Sequence, residues 1–153
     1  IDNNFIINRK LIKNILFDEN YFLYFETIDF CKKLKRERKN LLVSKKIKFI
    51  HYGSKSVDIK HKEIVIKSRA WHYNWSKFYY YRKNFDYFYA FTKILPNLIQ
   101  AIKKILINLV RFNKFNISLS FIEIYGIVSS ILCLNSFYRP FQKNKSNKII
   151  KEN

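Results

Sequence analysis

Apolar residues recur at helical spacing through the second half of the chain. From Glu63 onward one stripe predicts a single long helix, and it comprises Ile64, Ser68, Trp71, Trp75, Phe78, Arg82 and Phe85. Pro96 permits a new helix start, so further helices are predicted over 96–112 and 117–134. This half of the chain is therefore expected to be helical.

The first 62 residues show a different pattern, with short apolar runs separated by polar ones. Runs at 3–8, 41–44 and 47–51 predict strands, and those at 9–16 and 26–39 predict helices. We therefore expect an α/β fold class, with an α/β portion at 1–62, an amphipathic helical region at 63–138 and a basic, flexible tail at 139–153.

The helix over 96–112 is predicted to be basic and amphipathic. One face carries Asn97, Gln100, Lys104, Asn108 and Arg111, and the opposite face carries Leu98, Ile102, Ile105 and Leu109. Such helices lie on membrane surfaces or pack against partners. The segment 115–138 has Glu123 as its only charge, but that carboxylate and the recurring serines argue against a transmembrane span.

The charge narrows the classes of partner. Thirty Lys and Arg residues stand against eleven Asp and Glu residues, which gives a formal net charge of +19. A chain this basic is attracted to polyanions such as nucleic acid, anionic lipid headgroups or phosphorylated ligands. Binding of single-stranded nucleic acid could use Trp71, Trp75, Tyr79 and Arg82. Aromatic residues at helical spacing, however, more often indicate a core. We therefore expect no nucleic-acid partner, and keep that module as an alternative.

The ends of the chain and its cysteines carry less information. It begins with Ile1 and contains no methionine, so we expect a C-terminal fragment of a longer protein. Cys31 and Cys133 form no metal-ligand or disulfide pattern, which favours a reducing cytoplasm.

Scarce acids cluster where the aromatic segment 17–31 meets a predicted helix. Glu26 and Asp29 are three residues apart, so a helix would place them on one face. Carboxylates at a helix N-terminus are common capping or first-turn residues. The same pair could instead supply a general base, since the neighbouring aromatic residues would partly desolvate it.

The acidic segment and the loop that follows carry a resemblance to a known family. It is carried by Phe17-Asp18-Glu19, Phe22-Leu23-Tyr24-Phe25, Glu26, Asp29, Leu34 and His51-Tyr52-Gly53. At these positions the chain resembles the C-terminal half of a family 2 glycosyltransferase, of the inverting GT-A type and rhamnosyltransferase-like. The stretches WHYNWSKFYYYRKN and SFYRPF resemble the helical tails of polysaccharide-building members.

That resemblance implies transfer of a sugar, with inversion, from a nucleotide-sugar donor to a lipid-linked or polysaccharide acceptor. Glu26 would be the general base, with Asp29 second, and His51 would contact the donor diphosphate or the metal. A divalent cation, Mg or Mn, would be held mainly by a preceding half of the protein, and the substrate loop would contain Gly53, Ser54 and Ser56. One departure is Thr27, which stands where the family usually has its base, and a hydroxyl cannot act as a base near neutral pH.

The basic helices suggest where such an enzyme would work. We expect peripheral binding to the anionic, cytoplasmic face of the plasma membrane, with headgroup or lipid-phosphate contacts from Arg82, Lys83, Lys103, Lys104 and Arg111. A membrane-associated scaffold without catalysis is the second alternative, and Thr27 keeps it open.

Overall fold

The computed structural model describes residues 6–8, 10, 12, 15–42, 46, 48, 50 and 59–140. Within them the chain forms four α-helices: α1 (Glu26–Arg36), α2 (Lys62–Asn84), α3 (Tyr87–Val110) and α4 (Lys114–Ile131). A short 3₁₀ turn, Ile59–His61, leads into α2. None of the described residues forms a strand. The fold class is all-helical, and the predicted α/β class with its GT-A portion is wrong.

The predicted strands fail because their evidence was composition without a period. Residues 6–8, 41, 42, 48 and 50 have no regular structure, and the rest of those three runs lies outside the described residues. Ile and Phe favour strands only when a half-buried pleated surface exists for them to pack on. Here the described side chains of Ile6, Leu42 and Ile50 are largely exposed.

Helices α2, α3 and α4 form a bundle in which each contacts the other two. The connections are short, since two residues link α2 to α3 and three link α3 to α4. The side chain of Asp86 caps α3 by accepting a hydrogen bond from the backbone N–H of Tyr89 at 2.7 Å. Asn113 caps α4 in the same way, accepting from the N–H of Asn116 at 3.1 Å.

Helix α3 does not begin at Pro96, as the sequence predicts, but nine residues earlier at Tyr87. Pro96 lies inside the helix. The Asp86 cap fixes the start, and the proline costs the helix one backbone hydrogen bond without ending it. The resulting helix of 24 residues is long enough to follow α2 and α4 along the bundle.

The core of the bundle is small and is built around α2. Phe78, Ala90, Ile94 and Ile127 are fully buried together at its centre. Trp71 lies at the crossing of α2 and α4, where a Cβ at position 126 would stand 2.5 Å from the Trp71 carbonyl oxygen. Only glycine permits this approach of the two backbones.

Helix α1 and the segment before it dock on α2 through aromatic contacts. Phe25, just before α1, has its ring centroid 5.4 Å from that of Tyr80 in α2. The hydroxyl of Ser76 donates to the backbone carbonyl of Leu23 at 2.7 Å. Tyr24 and Phe25 both have φ 65, in the left-handed region, where the chain turns into α1.

Candidate functional site

The predicted acid Asp29 is held in an ion pair between helices. Its side chain is buried, and Oδ2 lies 2.7 Å from Nζ of Lys83 in α2. Its Oδ1 accepts a hydrogen bond of 2.7 Å from the carboxamide of Asn84, and Lys33 Nζ lies 3.7 Å from Oδ2. Both oxygens are therefore engaged within the chain, in an arrangement that joins α1 to α2 rather than one that receives a proton from a substrate.

Sequence reasoning did not single out Asp18, the second carboxylate on Lys83. Its Oδ2 also accepts hydrogen bonds from the Lys83 ammonium and, at 3.0 Å, from the Tyr79 hydroxyl. Burial opposes ionisation of Asp18, but hydrogen bonds from Lys83, Asn20 and Tyr79 outweigh it and lower its pKa from 3.8 to about 2. Burial opposes the charge on Lys83 as well, yet its two carboxylate partners raise the pKa of the ammonium above 10.5.

Glu26, the predicted general base, is the first residue of α1 and is half-buried. Its Oε2 is buried and has no hydrogen-bond donor among the described residues. The residue at the N-cap is Phe25, whose side chain makes no capping bond.

The described residues do not provide a metal site. Across the described ranges, no three His, Cys, Asp or Glu side chains are grouped closely enough to hold an ion. The oxygens of Asp29 already face two lysines and an amide, which is not a donor set for a divalent cation. His51, Gly53, Ser54 and Ser56 lie outside the described residues. The predicted Mg or Mn therefore stays a prediction.

The five predicted headgroup contacts have different environments. Lys83 is held by Asp18 and Asp29, and the Arg82 guanidinium contacts the sulfur of Cys133 and lies over the Tyr79 ring. Lys104 donates to Glu123 of α4 at 3.0 Å. Lys103 and Arg111 are exposed and have no ion-pair partner among the residues described.

Three polar residues of α3, Asn97, Lys104 and Asn108, face the inside of the bundle. The Asn97 carboxamide donates to Oδ1 of Asn74 at 2.9 Å and accepts from Lys77 at 2.7 Å. Farther along, Lys104 pairs with Glu123, and Asn108 accepts from the Asn116 carboxamide at 3.3 Å. These bonds join α3 to α2 and α4 through polar contacts.

The opposite, outward side of α3 is apolar. We call this row of large, exposed side chains the α3 outer stripe; it consists of Phe88, Phe91, Leu95, Ile99, Ile102, Leu106 and Leu109. Its members are three or four residues apart, so they form one continuous row along the helix. Phe88 is 83% exposed and Leu106 is 60% exposed. The sequence predicted a polar and an apolar face for this helix without assigning either one to the bundle.

An exposed cation lies beside the outer stripe. Lys103 is four residues after Ile99 and three before Leu106, so it neighbours both on the helix surface. At the end of α3, Phe112 adopts φ 51 and is 87% exposed, next to exposed Val110. The outward side of α3 thus presents a long apolar row with a cation beside it.

A buried histidine, which sequence reasoning also missed, fastens the segment after α4. Nε2 of His72, a residue of α2, lies 2.8 Å from the Tyr138 carbonyl oxygen, and Nδ1 lies 3.2 Å from the Ser136 hydroxyl. The carbonyl requires a proton on Nε2, so Nδ1 accepts from Ser136. Burial lowers the pKa of His72 to about 4; the carbonyl of Tyr138 opposes the decrease, and the Arg139 guanidinium adds to it.

The chain matches no protein-family model, no curated protein and no solved structure. Together with the absence of strands among the described residues, this overturns the resemblance to family 2 glycosyltransferases. Of the motifs that carried it, the aromatic and acidic residues of 17–29 here dock α1 on α2, whereas His51-Tyr52-Gly53 lies outside the described residues.

Proposed function

We propose that this chain is a helical module that binds the surface of anionic membranes through the α3 outer stripe. The observation that carries the proposal is that α3 buries Ala90 and Ile94 and bonds its amides and an ammonium within the bundle, yet leaves a row of large apolar side chains facing outward. No described helix is both long enough and apolar enough to cross a bilayer. Binding in the plane of the interface is the mode that an amphipathic helix supports.

The length and continuity of the stripe support a lipid surface over a small ligand. A helix of 24 residues is about 36 Å long. The stripe runs along most of that length, from Phe88 to Leu109, without an acidic residue. Contiguous apolar surface on this scale marks an interaction site on a protein.

Charge favours an anionic membrane over a second copy of the chain. At +19, two copies would repel one another, whereas anionic headgroups would attract each of them. Lys103 stands where an interfacial helix places its cations, beside the apolar side chains. Such a cation contributes about 1 kcal/mol near an anionic surface.

The other predicted functions receive less support from the described residues. Trp71 and Trp75, the aromatic residues that single-strand binding would use, are buried in the bundle, so they offer no stacking surface to bases. Sugar transfer to a lipid-linked acceptor stays a prediction without a described catalytic site, since Asp29 is engaged and His51 lies outside the described residues.

Vesicle flotation with a matched pair of variants tests the proposal. Leu106→Glu places a charge in the outer stripe, whereas Ile64→Glu places the same charge on an exposed apolar residue of α2. Losing the burial of one leucine should weaken binding to vesicles containing phosphatidylglycerol by about tenfold or more. Ile64→Glu should weaken binding by no more than its change of one charge unit explains, which a salt titration measures.

Three results would contradict the proposal. The wild type could fail to float with anionic vesicles, the two variants could weaken binding equally, or the protein alone could sediment as a dimer that Leu106→Glu dissociates. The last result would show that the stripe is covered by a second copy.

A further inference from the structure

The outer stripe contains a groove centred on Pro96. It has a volume of about 420 Å³ and is lined by Thr92, Leu95, Pro96, Ile99, Gln100 and Lys103. That volume is within the range of pockets that hold small molecules. The groove is open on the same outward side as the stripe, so a molecule in it would also contact whatever covers the stripe.

Pro96 leaves one backbone carbonyl of α3 without its usual hydrogen-bond donor. A proline inside a helix has no N–H, so the Thr92 carbonyl, four residues earlier, loses its usual donor. The Thr92 hydroxyl is already used, since it donates to the Tyr89 carbonyl at 2.8 Å. The Thr92 carbonyl, beside the groove, therefore lacks the donor that a helix normally provides four residues later.

The remaining lining separates into apolar and polar parts. Leu95, Pro96 and Ile99 are apolar and partly exposed. Gln100 and Lys103, three residues apart, supply a carboxamide and an ammonium on neighbouring positions of the helix. An ammonium beside an amide donor suits a phosphate oxygen, and the apolar part suits a hydrocarbon chain.

We propose that this groove binds one anionic phospholipid molecule, with its phosphate at Lys103 and Gln100 and the start of an acyl chain against Leu95 and Ile99. The proposal rests on the membrane-binding function above and adds a defined lipid site to it. An inorganic phosphate would satisfy only the polar part of the groove. A zwitterionic lipid would fill the apolar part but bring a second cation near Lys103.

A soluble short-chain lipid, dihexanoyl phosphatidylglycerol below its micelle concentration, separates the site from the membrane. Titrated into the ¹⁵N-labelled chain, it should shift the amide resonances of residues 92–103 in a saturable way. Lys103→Gln should weaken this binding by about fivefold, the loss expected for one lysine at an anionic headgroup. Lys35→Gln, an exposed lysine of α1, removes the same charge and should leave the affinity unchanged.

Two control ligands distinguish binding of an anionic lipid from binding of phosphate alone or of a zwitterionic lipid. Inorganic phosphate and dihexanoyl phosphatidylcholine at the same concentration should each bind at least fivefold more weakly than dihexanoyl phosphatidylglycerol. Shifts spread over all basic surfaces, equal binding of phosphate alone, or no effect of Lys103→Gln would overturn the lipid site. If vesicle flotation persists in that case, the membrane-binding function stands and only the groove is wrong.

Discussion

The Nζ atom of Lys83 in α2 lies 2.7 Å from Oδ2 of Asp29 in α1. Asp18 contacts the same ammonium from the segment before α1, so a single lysine joins three parts of the chain. The Asp29 side chain is 1% exposed, and its charge is stabilised by these contacts rather than by water. This ion pair accounts for Asp29, one of the two acidic residues that the sequence singled out, and its role in the fold is structural.

Asp29→Asn should destabilise the protein. The substitution removes a charge-assisted hydrogen bond at a buried position, which typically contributes about 1.5–3 kcal/mol. Denaturant unfolding would measure the loss. Glu37→Gln, at an exposed position just after α1, is the control and should change stability by less than about 0.5 kcal/mol. A near-neutral Asp29→Asn would mean that the pair does not hold α1 on α2.

Gly126→Ala should also destabilise the protein, against the usual helix preference. In an exposed helix interior, alanine is about 1 kcal/mol more favourable than glycine. In α4 the added Cβ would stand 2.5 Å from the Trp71 carbonyl oxygen, so α2 and α4 must separate. We expect a net loss of about 1–3 kcal/mol by thermal or denaturant unfolding. A stabilised variant would show that the two helices are farther apart.

The stability of the chain should decrease on mild acidification because of His72. Its folded-state pKa of about 4 lies below the ordinary 6.5, so the unfolded chain takes up the proton first. The free energy of unfolding contributed by His72 is complete above pH 6.5 and is lost as the pH falls towards 4. Asp18 contributes no change in this window, since its effect begins below about 3.8.

Unfolding titrations at pH 7.5 and 5.0 would test this. The wild type should be less stable at pH 5.0, and His72→Gln, which keeps a side-chain N–H for the Tyr138 carbonyl, should show a smaller difference between the two pH values. Burial is the main reason that protonation of His72 is costly, and the Arg139 guanidinium, 3.3 Å from Nε2, adds to that cost. An unchanged pH dependence in His72→Gln would assign the effect to other groups.

The sequence predicted two helix starts well, because their signals are local. Helix α1 begins at Glu26, as predicted, and α2 begins one residue before the predicted Glu63. The apolar spacing that locates a helix is a property of neighbouring turns. The strands and the start at Pro96 were wrong, because apolar runs have no period of their own and the Asp86 cap outweighs a proline.

The direction in which α3 faces could not be predicted in the same way. Amphipathicity distinguishes two faces but does not say which one meets the bundle. That choice depends on Asn74, Lys77 and Glu123, which belong to other helices and supply partners for the polar residues of α3. The Lys83 ion pair was missed for a similar reason, since Lys83 is 54 residues from Asp29 in the chain.

The central claim, that the α3 outer stripe enters the interface of an anionic membrane, is tested most directly by a spin label at position 106. In a background with Cys31 and Cys133 replaced by serine, the label would be placed at Leu106→Cys and, as a control, at the exposed α2 position Arg69→Cys. On adding phosphatidylglycerol vesicles, the label at 106 should gain collisions with oxygen and lose collisions with a water-soluble nickel complex. The label at 69 should keep its aqueous accessibility. A label at 106 that stays equally accessible to the nickel complex on vesicle-bound protein would contradict the account.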